Sequence, residues 1–180
     1  MSLLLDIERL SALYRNLLRK MAARESLQMV HIEILQYLSV CNRYSDTAQA
    51  LVEYLGQTKG SISQSLGILE KRNLILRRQD ANDFRIYHVS MSDKGLEVVR
   101  RIQESITMGE DSSVEVKQAL ATVLYTLQRS NHLKSFGICK TCRFHKPLGS
   151  GKFQCALTKQ ILDEEEGGRI CREHEIPKAL

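Results

Sequence analysis

A helical stretch at residues 58–72 constrains the fold of this chain more than any other feature. Its sequence is TKGSISQSLGILEKR, in which Ile62, Leu66 and Leu69 recur at the spacing of one helix face. The opposite face carries short polar residues and one cation, namely Lys59, Ser61, Ser63, Gln64 and Gly67. Such side chains reach base edges and phosphates when a helix lies in the DNA major groove. An ordinary solvated helix face has the same pattern, so the neighbouring segments must decide between the two interpretations.

A short predicted helix stands directly before this stretch. The segment TAQALVEYLG covers residues 47–56 and ends at Gly56, a residue typical of helix C-termini. Ser45 or Asp46 is its candidate N-cap, and Thr58 is a favourable N-cap for the helix that follows. Two short helices joined by a tight turn form a helix-turn-helix, whose second helix reads DNA. This context favours DNA recognition over a simple solvated face.

A predicted β-hairpin follows the two helices. The runs LILRRQD and RIYHVSM are rich in β-branched and aromatic residues and are separated by ANDF. The hairpin carries Arg77, Arg78 and Arg85, which would contact DNA as a basic wing beside the groove. We therefore predict a winged helix-turn-helix at the centre of the chain.

Four further amphipathic helices are predicted, at residues 2–21, 26–40, 92–106 and 112–130, the second and third capped by Ser26 and Ser92. In the last helix the residues predicted to face inward are Val116, Leu120, Val123, Leu124 and Leu127. The first helix is apolar over much of its surface, which predicts burial on two sides. The second side is either an internal core or another subunit.

The composition narrows the class of protein. The formal net charge of +5 suits a polyanionic partner, although it is too small to establish one. No apolar run approaches the roughly 20 residues that a membrane span needs. The N-terminus MSLLLDIERL lacks the small-residue cleavage site of a signal peptide. We expect a cytoplasmic protein without a membrane partner, and we expect no enzymatic activity.

Four of the five cysteines fall between residues 139 and 171, while Cys41 stands alone. Their pattern is C-x2-C, twelve residues, a third cysteine, fifteen residues and C-x2-H. A C-x2-C turn places two thiolates where both can bind one metal or cluster. Clustered cysteines in a chain without an export signal indicate a metal or redox site. Because the segment has little apolar content, a metal would supply folding energy.

Two ligand sets and two cofactors are consistent with this pattern. The favoured set is all-thiolate and consists of Cys139, Cys142, Cys155 and Cys171. The alternative replaces Cys155 with His174, as in a closed zinc site, and His145 is a weaker candidate. Iron–sulfur clusters accept single cysteines far from a C-x2-C pair, which favours a cluster slightly over zinc. Four free thiols in a flexible tail are the remaining interpretation.

The central segment LVEYLGQTKGSISQSLGILEKRNLI, with a D-x-R at residues 83–85 and the SDKG helix start, resembles the MarR (multiple antibiotic resistance regulator) family. The resemblance covers residues 1–131 in element order and is most specific over 47–95. It implies a mainly α fold with a small β-hairpin wing, dimerisation through the terminal helices, and a wing arginine, Arg85, in the minor groove. The groove-facing residues that it implies are Thr58, Lys59, Ser61, Ser63 and Gln64.

Two features depart from the family pattern. The second wing strand lacks the common second acidic–basic pair, and the chain continues well beyond the point where family members generally end. We therefore predict two domains: a MarR-like winged helix-turn-helix and dimerisation domain at 1–131, and a cysteine-rich metal or iron–sulfur binding segment at 132–180.

The predicted function is a homodimeric, sequence-specific transcriptional regulator, a repressor that binds a pseudo-palindromic operator in double-stranded DNA. Its four-cysteine site would sense redox state, oxygen, nitric oxide or iron. One alternative keeps the regulator but gives it a structural zinc and a small phenolic effector as inducer. Another alternative is a thiol redox or metal-transfer protein, although the C-x2-C pair lacks the βαβ context of thioredoxin-like enzymes.

Overall fold

The computed structural model describes residues 2–81, 83–106 and 113–177. These residues form two compact units, each described here by itself. The winged-helix unit contains residues 2–39 and 51–106, and the cysteine-rich unit contains residues 40–50 and 113–177. The predicted domain boundary at residue 131 lies inside the second unit.

The winged-helix unit follows the predicted order of elements. Its helices and strands, which extend at two points into residues 40–50, are α1 (Leu3–Arg24), α2 (Met29–Val40), α3 (Ala48–Leu55), α4 (Lys59–Lys71), β1 (Ile75–Gln79), β2 (Tyr87–Met91) and α5 (Asp93–Ser105). The two strands pair antiparallel, with Ile75 opposite Met91 and Gln79 opposite Tyr87. The predicted fold class, mainly helical with a small β-hairpin wing, is confirmed.

Local signals explain where several of these helices begin and end. The Thr58 hydroxyl caps α4 by accepting a hydrogen bond from the Ser61 amide at 3.2 Å, and the Ser92 hydroxyl caps α5 by accepting one from the Gly95 amide at 3.1 Å. Gly56 ends α3 with a φ of +63°, which glycine adopts without steric cost. These predicted helix ends are confirmed.

Two predicted caps are wrong. Ser26 lies in the left-handed region at φ +53°, and α2 begins only at Met29. For α3, the Thr47 hydroxyl accepts from the Ala50 amide at 3.3 Å, so Thr47 takes the place that was predicted for Ser45 or Asp46. The Ser45 hydroxyl is hydrogen-bonded within the cysteine-rich unit instead, because a tertiary contact outweighs its local propensity.

The core of the winged-helix unit holds the apolar face of α4 in place. Ile62, Leu66 and Leu69 are buried, as the periodicity predicts. Helix α5 lies so close to the start of the wing that a Cβ on Gly95 would come within 2.1 Å of the Leu74 carbonyl oxygen. A buried inner face leaves the polar face of α4 outward.

The cysteine-rich unit contains α6 (Val114–Ser130), a 3-10 turn at Cys139–Thr141, β3 (His145–Gly149), β4 (Lys152–Cys155), β5 (Ile161–Asp163) and the short α7 (Glu164–Gly167). The strands form an antiparallel sheet in the order β3-β4-β5. Cys139, Phe153 and Leu162 form a small buried core in this unit. Helix α6 is capped by Ser113, and its predicted start at Ser112 lies outside the described residues.

The apolar stripes of α1 and α6 are largely exposed in the single chain. Helix α6 has no buried residue, so the prediction that its stripe faces inward is wrong for one chain: Val116, Leu120 and Leu124 are exposed, and Val123 and Leu127 are half-buried. The exposed apolar residues of α1 are Leu3, Leu4, Leu5, Leu10, Leu13, Tyr14 and Leu17. Both stripes are exposed because the described residues of the same chain do not cover them.

Within the described ranges, every helix is too short or too polar to cross a membrane.

Candidate functional site

The outward face of α4 is the first candidate site. Lys59, Ser63 and Gln64 are exposed, while Ser61 is half-buried. The Thr58 side chain is exposed as well, but its hydroxyl oxygen is used as the α4 cap. The structure therefore leaves three of the five predicted groove-facing side chains fully available. A capped helix N-terminus also carries partial positive charge, which favours contact with phosphate.

The tip of the hairpin presents Arg85. Its side chain is 89% exposed and is held by both Asp83 carboxylate oxygens, from Nε at 3.0 Å and from Nη2 at 2.9 Å. The hydrogen bond from Arg85 lowers the pKa of the Asp83 carboxyl. Asp83 in turn is positioned by its own amide, which donates to Asp80 at 2.8 Å. The arginine is thus oriented at the tip and can exchange one anionic oxygen for another.

The other two predicted wing residues differ from each other. Arg77 forms a salt bridge with Glu70 of α4, at 3.2 Å between Nε and the carboxylate, and its side chain is only 27% exposed. Arg78 is exposed on the same strand. Arg77 therefore ties the hairpin to α4, whereas Arg78 is the strand residue that is free to meet a phosphate backbone.

The second candidate site is a cavity in the cysteine-rich unit. All four predicted cysteine ligands line it, together with Tyr44, Phe144 and Leu157 among others. Cys139, Cys142 and Cys171 are buried, and Cys155 is half-buried. The structure therefore brings together side chains that are separated by up to 32 positions in the sequence.

Backbone hydrogen bonds position each of these cysteines. The Cys142 amide donates to the Cys139 carbonyl at 3.1 Å, which closes the C-x2-C turn. The Cys171 amide donates to the Gly137 carbonyl at 3.0 Å and brings the distant fourth cysteine beside that turn. Cys155 comes from the end of β4, and its amide donates to the Gln160 carbonyl at 3.0 Å.

Two thiols of this cavity, those of Cys139 and Cys171, are favoured in their neutral form. Burial raises the pKa of Cys139 to about 12, and repulsion from the other three cysteines adds to the effect. Burial also raises the pKa of Cys171. Mutual repulsion of this kind shows that the four sulfur atoms share one environment. A bound cation would replace the protons and remove the repulsion.

The donor set fits a thiolate-bound cofactor in its chemistry. Four cysteine sulfurs around one cavity are the ligand set of structural zinc and of common iron–sulfur clusters. Among the described residues, however, no three His, Cys, Asp or Glu side chains approach closely enough to hold a single metal ion.

His174, the alternative ligand, has a different set of partners. Its Nδ1 lies 2.6 Å from the Ser135 hydroxyl and its Nε2 lies 3.0 Å from the Thr141 hydroxyl. Its ring also packs against Gly137, where a Cβ would come within 2.6 Å of the ring. Burial lowers the pKa of His174, which favours the neutral imidazole. In this arrangement, both ring nitrogens are engaged in holding the cysteine-rich unit together.

His145, the weaker candidate ligand, does line the cavity. Its ring stacks on Phe153 with 4.3 Å between the ring centroids.

Sequence reasoning missed the residues that hold Cys171 from the other side. Residues 40–45, which follow α2, pair with residues 169–172 through several hydrogen bonds. Asn42 and Ser45 are almost completely buried there, at 1% and 0% exposure. The sequence NRYSD has the polarity of an ordinary surface loop, so no signal in the sequence marks these two residues.

Comparisons with known proteins show the fold. No protein-family model matches the chain, and the comparison with curated proteins found no match. Among solved structures, S. aureus MepR in DNA-binding conformation has a TM-score of 0.59 at 19% identity, covering 71% of this chain and 100% of that one.

Two further structures are similar. A MarR transcriptional regulator from Methanosarcina mazei Go1 has a TM-score of 0.57 at 17% identity, covering 68% of this chain and 96% of that one. The transcriptional regulator SlyA has a TM-score of 0.56 at 18% identity, covering 73% and 96%. The chain therefore has the winged-helix fold of these regulators.

Proposed function

We propose that this chain is a homodimeric, sequence-specific DNA-binding transcriptional regulator that acts as a repressor. The observation that carries the proposal is the outward polar face of α4, capped at its N-terminus and flanked by a wing with an exposed arginine. A helix of this kind fits the major groove, and an arginine at a hairpin tip fits the adjacent minor groove. The similar MepR structure is named as a DNA-binding conformation, which supports the same use of this fold.

Each exposed residue has a distinct role in this proposal. Gln64 and Ser63 carry the hydrogen-bonding groups that read base edges, because glutamine matches adenine and serine accepts several partners. Lys59 and Arg78 neutralise phosphates and set the register on the duplex. Arg85 leaves Asp83 for the minor groove. Thr58 acts through the cap that orders the first turn of α4.

Dimerisation is supported by the uncovered apolar stripes. Leu10, Leu13 and Leu17 of α1 are at least 40% exposed, and Leu120 and Leu124 of α6 are similarly exposed. Apolar helix faces that are left exposed in this way are typical of protein interfaces. A second copy of the chain is the occupant that a pseudo-palindromic operator requires, since each protomer would read one half-site.

For the cysteine site we propose an iron–sulfur cluster held by Cys139, Cys142, Cys155 and Cys171. One observation supports a thiolate-bound cofactor here: the four cysteine side chains surround one cavity. Such a cluster would supply sensitivity to redox state, oxygen, nitric oxide or iron supply. The protein's own contribution is a buried thiolate cage whose ligands come from distant parts of the chain.

The DNA proposal is tested by selecting binding sequences from a random duplex pool and measuring affinity for the selected operator. We expect Gln64→Ala to lose roughly ten-fold in affinity and to relax the preference at one position of each half-site, since a base contact contributes about 1–3 kcal/mol. Gln103→Ala, an exposed glutamine of α5, is the matched control and should bind as wild type. Binding without sequence preference at moderate salt would contradict the proposal.

The cysteine proposal is tested on protein purified anaerobically. A visible spectrum with stoichiometric iron and sulfide, lost in Cys142→Ser, is the expected result. A colourless protein with one zinc per chain would leave a structural site. Repression relieved by a phenol at constant metal content would then favour the small-molecule inducer.

A thiol redox or metal-transfer role is the remaining alternative. Reactive redox thiols have a lowered pKa, whereas burial raises that of Cys139 to about 12, which weighs against this role. Turnover of a disulfide substrate by the C-x2-C pair, without operator binding, would favour it nonetheless.

A further inference from the structure

The segment that clamps Cys171 also leads into the helix-turn-helix. Residues 40–47, here called the α2–α3 connector, link the end of α2 to the start of α3. The Ile170 amide donates to the Val40 carbonyl, and the Asn42 amide donates to the Ile170 carbonyl, both at 2.8 Å. On the other side of Cys171, the Arg172 amide donates to the Ser45 hydroxyl at 2.8 Å. The connector therefore holds the chain immediately before and immediately after this cysteine.

Asn42 has a buried donor without a partner. Its side-chain oxygen accepts from the Tyr44 amide at 3.2 Å and from the Ser45 hydroxyl at 2.7 Å. Because a backbone amide can only donate, these contacts identify the oxygen and fix the orientation of the side-chain amide. Its Nδ2 is buried and has no hydrogen-bond partner among the described residues. A buried N–H without a partner is destabilising, so its retention calls for an explanation.

We propose that the Asn42 side-chain amide donates to the Cys171 sulfur when the cysteine site is loaded, and that the α2–α3 connector transmits the state of that site to α3. The inference rests on the cysteine site of the proposed function and names its route to the DNA-binding helices. Asn42 is a positioning residue, because it acts on the ligand Cys171.

The chemistry and the covalent route both favour this assignment. A thiolate sulfur is a stronger acceptor than a thiol, so the donor gains its partner on loading, and donors to cluster sulfurs adjust the reduction potential. Only two residues separate Ser45 from the first residue of α3, and Thr47 between them caps that helix. A shift at Cys171 therefore has a short path to the helix that precedes α4.

The test compares the full-length wild type with Asn42→Asp, which keeps the accepting oxygen and removes the donor. Asn131→Asp is the matched control, since that exposed asparagine lies in the same unit and donates to the Leu127 carbonyl at 2.8 Å. Each protein is prepared metal-free, then reconstituted anaerobically with ferrous iron and sulfide, or in parallel with Zn²⁺. Operator affinity is measured before and after loading, and the reduction potential is measured in the iron arm.

We expect loading to change operator affinity in wild type and in Asn131→Asp. In Asn42→Asp the ratio of operator affinity with and without the loaded site should move about ten-fold towards one. A change of this size is within the usual range of coupling between two sites. The reduction potential should become more negative in Asn42→Asp alone, because a donor to sulfur stabilises the reduced state. An unchanged ratio and an unchanged potential in Asn42→Asp would overturn the inference.

If the cysteine site of Asn42→Asp cannot be loaded with iron and sulfide or with zinc, Ser45→Ala provides the test of the inference. It removes the acceptor of the Arg172 amide, so a loading ratio near one supports transmission through the connector, and the wild-type ratio contradicts it. If wild type takes up no metal, or binds the operator equally with and without it, the cysteine part of the proposed function fails and this inference fails with it. If wild type responds and both variants respond fully, only this inference fails.

Discussion

The two compact units are stabilised in different ways. The winged-helix unit buries aliphatic faces from several helices and a hairpin, including Ile62, Leu66, Leu69 and Leu74. The cysteine-rich unit has a small core in which a cysteine packs with Phe153 and Leu162. Apolar burial contributes roughly 1.5–3 kcal/mol for each large side chain, so the first unit has an independent source of stability. The second has only a small core, so the cofactor proposed for its four cysteines would contribute to its folding as well as to its chemistry.

Removing one cysteine ligand should therefore have the largest effect and should affect the two units unequally. We expect Cys171→Ser to abolish metal binding and to expose the amides of residues 139–175 to hydrogen exchange, because metal binding supplies folding energy. The amides of α4 and β1 should keep their protection. Hydrogen exchange with mass spectrometry on the full-length protein measures both regions at once.

Cys41→Ser is the matched control for that experiment. Cys41 is also a buried cysteine that forms no disulfide, but it is not among the residues that line the cavity. Its replacement should lower stability slightly and leave the metal content unchanged. Equal loss of protection in both units, or full metal content in Cys171→Ser, would show that the units do not differ as described.

Alanine substitution at either of two glycines would strain one unit and not the other. In Gly95→Ala the new Cβ would meet the Leu74 carbonyl oxygen at 2.1 Å, and in Gly137→Ala it would meet the His174 ring at 2.6 Å. Overpacking of this kind costs about 1–3 kcal/mol, and we expect the higher value for Gly95→Ala because a backbone atom cannot move aside easily. Local hydrogen exchange should detect each loss in its own unit.

Gly60→Ala in α4 provides the reference. A Cβ there meets nothing within 4 Å, so the substitution should stabilise the helix by about 0.5–1 kcal/mol. If Gly95→Ala reduced protection from hydrogen exchange in the cysteine-rich unit as much as Gly137→Ala does, the two units would not be strained separately.

The same difference explains how much could be predicted from the sequence. In the winged-helix unit the information is local: Thr58 and Ser92 are caps, Gly56 ends a helix, and the apolar spacing of α4 defines its buried face. Each of these signals acts on residues that are close to it in the sequence, and the structure confirms the predictions based on them. The stripe of α6 was equally clear, but periodicity shows only that a face is apolar and not which molecule covers it.

In the cysteine-rich unit the decisive contacts are long-range. The C-x2-C spacing predicted a shared site, and the structure gathers all four cysteines around one cavity. The clamp on Cys171 could not be predicted, because it joins Asn42 and Ser45 to residues almost 130 positions later. Ser45 was predicted as a helix cap on local propensity, and the tertiary hydrogen bond to the Arg172 amide took precedence. Long-range pairings of this kind produce no periodic pattern of residues in a single sequence.

The two proposed sites also differ, since one is exposed and carries charged side chains and the other is buried. Arg85→Ala should weaken operator binding by about 1–3 kcal/mol and leave thermal stability unchanged, since its side chain is 89% exposed. If Arg85 contacts a phosphate, the slope of log affinity against log salt should fall by about one. Arg129→Ala, at the end of α6, is the control. An unchanged slope with a lost A·T preference would place Arg85 on minor-groove bases instead.

The smallest expected effect is a difference between the two units in how their stability depends on pH. In the winged-helix unit Glu25 accepts from Arg101 at 2.7 and 2.9 Å, and this hydrogen bonding lowers the pKa of Glu25 below its ordinary 4.5. A group whose pKa is lowered by folding contributes stability above its unfolded pKa, and that stability is lost as the pH falls through the folded value. Glu25→Gln should therefore cost at most about 1 kcal/mol near neutral pH and nothing in strong acid.

His174 gives the corresponding dependence in the cysteine-rich unit at higher pH. Burial lowers the pKa of His174 below 6.5, so its neutral form is the one that the fold favours. Stability is then complete above pH 6.5 and falls as the pH drops towards the lowered value, before Glu25 begins to titrate. Hydrogen exchange measured from pH 7 downwards should show the cysteine-rich unit weakening first, and the Glu25→Gln difference should disappear only below 4.5. Simultaneous weakening of both units would show that these two groups do not govern them separately.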